Sequence, residues 1–153
     1  MSRTYWLFGT QLSILADEQQ TNSTYDLIEG SFPAHLETPL HLHSKYSEGI
    51  YVLEGEFTVY TDTGAATLTP GEFIFVAPNI PHVIAASGKK VNRALTVASP
   101  SGFGKLIRSV GIPGNGTSLP PDTPNDMGLF IELSKDTGDL ILGSPGARPV
   151  LKK

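Results

Sequence analysis

The chain has 153 residues, 39% hydrophobic and 17% charged, with a formal net charge of −4. That is enough for one globular domain burying roughly 68–70% of its unfolded surface, and the acidic balance speaks against nucleic acid or an anionic membrane as a partner. Cysteine is absent, which excludes disulfides, thiolate metal sites and cysteine nucleophiles. The start of the chain has no apolar stretch of signal-peptide type, and no run reaches the roughly 18 apolar residues of a membrane span, so a soluble, cytoplasmic protein is expected.

In chain order, Tyr5-Trp6-Leu7-Phe8 and Gln11-Leu12-Ser13-Ile14-Leu15 read as strands, and the polar run 17–23 as a loop. Residues 24–32 are a further strand, and Pro33 and Pro39 make the stretch between them irregular by removing ladder donors. Then comes Leu40-His41-Leu42-His43, with Glu48 five residues on and a strand from Ile50 to Glu54. Glu56-Phe57-Thr58-Val59-Tyr60-Thr61 alternates polar and apolar residues, as a strand with one face on a core does. Strands over 65–68, 72–76, 82–85 and 91–98 follow, punctuated by Asp62-Thr63-Gly64, Pro70-Gly71, Pro78-Asn79-Ile80-Pro81 and Gly88. After Pro100, Ser101 is positioned to cap a short helix over 102–110. Residues 111–126 form a Gly/Pro-rich loop or extended arm, 127–136 a second short helix and 139–142 a last short strand or packing segment, ahead of a mobile tail to Lys153. Strands every 8–12 residues with no intervening helices before residue 98 mean an all-β sandwich or barrel. Residues 1–112 are read as the barrel with its N-terminal strands, and 113–153 as an arm packing on the same domain.

The chemistry concentrates at the two closely spaced histidines. In an extended chain His41 and His43 project from one face and Leu42 from the other. Two imidazoles with Glu48 nearby form the start of an N/N/O metal set, and His82, after the Pro-x-x-Pro turn, can converge on the same point from a second inward-facing strand. A lone histidine is more often a surface or core residue, but the pair, the carboxylate and the later histidine together favour ligation. Such donors suit Fe, Mn, Ni, Co, Cu or Zn far better than Ca or Mg, and leave one or two exchangeable positions of the kind a catalytic metal needs.

The spacing His41-x-His43, four residues, Glu48, six residues, Gly55 resembles the first motif of the cupin superfamily, and Gly71 through Pro78 to Pro81-His82 resembles the second. Tyr5-Trp6-Leu7-Phe8-Gly9 and Gly102-Phe103 are similar to single-domain cupins of the quercetin 2,3-dioxygenase-like group, so the resemblance runs from about Tyr5 to Gly111. The sequence departs from the family pattern at His35 and Ile80, where glycine is common, and at Ala86, where asparagine is common. The resemblance implies a double-stranded β-helix, or jelly-roll barrel. It also implies one divalent transition metal on His41, His43, Glu48 and His82, with Glu48 also taking the proton from an enol-type hydroxyl before reaction with O2. A metal-dependent dioxygenase cleaving a flavonol or related enol or enediol is expected. The alternatives are a metal-containing small-molecule-binding cupin without oxygen chemistry and, less favoured, a metal-dependent isomerase or lyase. Tyr46, Phe57, Phe75 and His35 are the candidate substrate contacts. Phe57, Phe73, Phe75 and Leu53 would form an apolar wall suited to an aromatic ligand, with plain barrel core the favoured reading for most of them. A homodimer is expected, with the apolar edge Tyr5 to Phe8 as its exchanged or interface strand.

Overall fold

The computed structural model describes residues 3–115 and 119–153; residues 116–118, within the Gly/Pro-rich loop, lie outside the described residues. Ten strands precede the first helix: β1 (Thr4–Leu7), β2 (Thr10–Ala16), β3 (Asp26–Phe32), β4 (Leu40–His43), β5 (Ser47–Glu54), β6 (Phe57–Thr61), β7 (Gly64–Leu68), β8 (Phe73–Val76), β9 (Val83–Ala86) and β10 (Asn92–Ser99). Helix α1 (Phe103–Val110), strand β11 (Ile112–Pro113), helix α2 (Met127–Thr137) and strand β12 (Asp139–Gly143) complete the chain. The antiparallel strands make a large sheet in the order β11-β1-β2-β3-β10-β5-β8, a pair β12-β4 and a sheet β7-β6-β9. A bridge between His41 and His82 joins β4 to the start of β9, so the two smaller sheets together form the second layer of a jelly roll.

Alternation decides what each strand buries. On β5, Glu48, Ile50 and Val52 are buried, whereas Tyr51 between them is 41% exposed. The register carries this parity to β8: Glu48 faces Val76 and Ile50 faces Ile74, while Gly49 and Tyr51 face Phe75 and Phe73. Phe73 and Phe75 therefore stand on the outer face, 56% and 61% exposed. Phe57 and Val59 of β6 turn inward and are fully buried, and Phe57 packs edge-to-face on Phe32 with centroids 5.2 Å apart. Gly55, at φ +75, turns β5 into β6; a Cβ there would lie 2.4 Å from the Val91 carbonyl oxygen.

Two apolar clusters result. One fills the barrel body around Ile50, Val52, Phe57 and Val59. The other lies where Leu12, Ile14 and Ile28 meet Leu106 and Ile107 of α1 and Phe130 of α2.

Three expectations are corrected. Residues 5–8 are not an open edge: β1 pairs with β2 on one side and β11 on the other, and Trp6 and Leu7 are buried. Ser101 does not cap α1; Gly102 occupies the cap position without a side-chain bond, and the buried Asp26 carboxylate accepts from the amides of Gly102 and Gly104, both at 2.9 Å. The tail is tied to the barrel rather than free of it. Arg148 donates to both carboxylate oxygens of Glu37 and lies 4.2 Å above the Tyr60 ring, and Lys152 pairs with Asp62 at 2.7 Å. No described helix is long and apolar enough to cross a membrane.

Candidate metal centre

Strand β4 delivers His41 and His43 to one face, and the bridge at its start brings His82 alongside; the facing sheet supplies Glu48 from β5. One ligand atom from each of the four lies within 4.8 Å of all the others. The sequence-predicted ligand set thus converges, with the carboxylate coming from the opposite layer of the roll.

Each imidazole is held the same way. His41 Nδ1 lies 2.8 Å from the Pro39 carbonyl, His43 Nδ1 3.2 Å from that of Tyr46, and His82 Nδ1 2.8 Å from that of Ile80. A carbonyl only accepts, so each Nδ1 carries the proton and each Nε2 presents a lone pair to the shared space. Yet His43 Nε2 and His82 Nε2 stand 3.0 and 3.2 Å from the same oxygen, Oε2 of Glu48. Lone pairs facing a carboxylate repel unless the rings are protonated or a cation sits among them. This donor set therefore fits a divalent transition metal, the borderline cation that neutral imidazole and carboxylate share. Oε1 of Glu48 has no hydrogen-bond partner among the described residues.

Left-handed backbone lies at one departure from the family pattern and beside another. His35, where glycine is common, has φ +63, and Asn79, one residue before Ile80, has φ +67; asparagine tolerates the left-handed region well, histidine less so. The turn at Asn79 is tied to β4, since its amide donates to the His43 carbonyl at 2.8 Å, which sets His82 beside the other histidines.

The electrostatics follow from burial and mutual contact. Burial, followed by the charge of His82, lowers His41 to about 4. Burial alone would lower His43 too, but once its Nε2 takes a proton, with no metal bound, the hydrogen bond to Glu48 and the carboxylate charge outweigh burial and raise it. Glu48 is pulled well below the usual carboxylate range because the hydrogen bonds that His43 and His82 donate when so protonated outweigh its burial. His41 thus stays neutral near pH 7, and protons compete with a metal at His43 first as pH falls. Metal affinity should rise with pH, with Co2+ bound roughly tenfold more weakly at pH 6 than at pH 8. A chelator competition titration at the two pH values measures this, and a flat profile would contradict it.

Beside the tetrad opens a cavity of about 110 Å³, lined by His41, His43 and Glu48 and, around them, by apolar side chains including Phe32, Phe57, Ile84 and Phe130. Of the candidate substrate contacts, Tyr46 and Phe57 line it. Phe75 does not, because the register of β8 turns it outward; the period of two was legible, but both alternating sets on β8 are apolar and the sequence did not say which faces in. His35 does not either: it is exposed on its loop, its amide bonds to the Ser87 carbonyl, and its ring lies against Gly88. The sequence reading missed Asp139, Leu140 and Ile141, which reach the cavity because β12 pairs with β4, Asp139 opposite His43 and Ile141 opposite His41. The apolar run 140–142 marked a short strand or packing segment; its partner had no local signal.

Residues 30–98 match the family model described as Cupin domain. The chain has a cupin-type jelly-roll fold. Across 115 residues the chain is 29% identical to quercetin 2,3-dioxygenase of Bacillus subtilis (strain 168), covering 74% of this chain but only 34% of that enzyme. Among solved structures, the cupin fold is shared with the polyketide cyclase RemF from Streptomyces resistomycificus (TM-score 0.54, 27% identity, 61% of this chain and 66% of that one). It is shared also with an RmlC-like cupin from Shewanella frigidimarina NCIMB 400 (TM-score 0.56, 22% identity, 66% of this chain and 86% of that one). The matched span ends before α1, so both helices and β12 lie outside it.

Proposed function

We propose that the protein is a metal-dependent dioxygenase of the quercetinase-like cupin type, cleaving a flavonol or related enol or enediol with O2. The observation that carries this reading is the composition of the cavity. It ends on a three-histidine, one-carboxylate cluster, its walls are apolar and aromatic, and among the described lining residues there is no lysine or arginine. With Glu48 and Asp139 as its charged side chains, such a cavity disfavours phosphate- or carboxylate-bearing substrates and suits a flat, neutral, hydroxylated one. The likeness to a quercetin 2,3-dioxygenase supports the same class.

A divalent transition metal held on His41, His43, Glu48 and His82 supplies Lewis-acid and redox chemistry. The chain's own residues do the rest. Phe57 and Phe32 shape the slot that takes the ring system, and the buried walls exclude water. Glu48, with Oε2 engaged by two histidines and Oε1 uncommitted, accepts the proton of the substrate's enol hydroxyl and makes it electron-rich enough to react with O2. Insertion of both oxygen atoms needs no external electron donor.

The test is O2 consumption by protein loaded in turn with Fe, Mn, Co, Ni, Cu and Zn, over a panel of flavonols and enediols. Substrate-dependent uptake with at least one metal is the expected result. Flavonol binding without uptake at any metal would replace this reading with that of a small-molecule-binding cupin.

A further inference from the structure

The loop between two of the proposed ligands, Ser44-Lys45-Tyr46, is gripped along its length by the C-terminal arm. The Ser44 amide donates to the Gly138 carbonyl at 3.0 Å, and Lys45 Nζ donates to the carbonyls of Lys135 and Asp136 at 3.1 and 3.2 Å. The Tyr46 hydroxyl donates to Asp139 Oδ1 at 2.5 Å. The other carboxylate oxygen of Asp139 accepts from the Thr137 hydroxyl. Gly138, at φ +77, makes the approach possible, since a Cβ there would lie 2.3 Å from Ser44 Oγ. Tyr46 is itself a plate: its ring stacks on His43 with centroids 4.1 Å apart and planes 12° apart, and Phe103 of α1 lies on it at 5.9 Å and 19°. Its carbonyl is the acceptor for His43 Nδ1.

We infer that Asp139 is a positioning residue for the His43 imidazole, acting through Tyr46. This rests on the metal-centre reading above. A ligand ring keeps its orientation through a hydrogen bond from its remote nitrogen and through what packs on its faces, and here both come from Tyr46. The backbone of Tyr46 fixes the nitrogen and its ring covers the face of the imidazole. The ring's own tilt is set by Phe103 and by the one polar anchor at its far end, Asp139. That anchor belongs to β12, outside the matched cupin span, so in this chain the arm is part of the metal centre's support rather than a cover alone.

The test uses Co2+ as probe with the full chain. Tyr46→Phe removes the anchor and keeps the plate. It should weaken Co2+ binding about tenfold and shift the visible d–d bands. Asp139→Ala should do the same. Asp139→Asn retains an acceptor for the tyrosine and a donor that the Thr137 hydroxyl can accept from, and should stay within about threefold of wild type with unshifted bands. In the metal-free protein, the 15N resonances of the His43 ring should move in Tyr46→Phe and not in Asp139→Asn. Wild-type affinity, unshifted bands and unmoved His43 resonances in Tyr46→Phe would overturn the inference while leaving the metal centre standing. Failure of the wild-type protein to bind Co2+ would overturn both. If Asp139→Ala does not fold, Tyr46→Phe, which loses one oxygen atom, and Asp139→Asn decide the matter.

Discussion

Glu48→Gln should retain the metal and lose turnover by roughly 10²- to 10⁴-fold, the range expected when a positioned base is removed. Three histidines remain to hold the ion, and glutamine preserves the shape of the buried side chain between β10 and β8. What disappears is the second carboxylate oxygen. Oε2 is engaged by His43 and His82, so Oε1 is the atom available to a substrate hydroxyl. An amide cannot accept a proton there. Metal content and O2 uptake measured on the same preparation separate the two functions of Glu48. Full metal with wild-type uptake would remove it from proton transfer. Loss of both would leave it a ligand only.

Phe57→Ala should destabilise the fold by about 3–5 kcal/mol, the usual cost of deleting a fully enclosed phenylalanine. Its ring is fully buried in the barrel cluster and lines the cavity, so the change opens the core and widens the slot together. Phe75→Ala, by contrast, should stay within about 0.5 kcal/mol, since its ring stands on the outer face. Urea denaturation of the two variants beside wild type measures the contrast. Equal costs would mean that the parity assigned to β6 and β8 is wrong.

The pair also shows what was legible in the sequence. Strand periods, turn residues and the histidine spacing are local signals, and they located the strands of the barrel and the four converging side chains. Phe57 alternates with polar neighbours, so its inward face could be read directly. On β8 every residue is apolar, and only the pairing of Tyr51 with Phe73 shows that the aromatic set faces out. Residues whose roles depend on partners far along the chain were silent. Asp139 gains its place from pairing with His43 across 96 positions of sequence, Asp26 caps a helix that begins at Phe103, and β11 is a two-residue strand visible only because β1 pairs with it. A chain terminus is expected to be mobile, yet Arg148 and Lys152 bind this one to Glu37 and Asp62.

The most direct test of the central claim is elemental analysis of the purified protein after loading with Fe, Mn, Co, Ni, Cu and Zn in turn, beside a His41→Ala/His43→Ala double variant. About one transition-metal ion per chain is expected in the wild type, lost in the folded double variant. No bound metal in the wild type under any loading, or equal metal in both proteins, would contradict it.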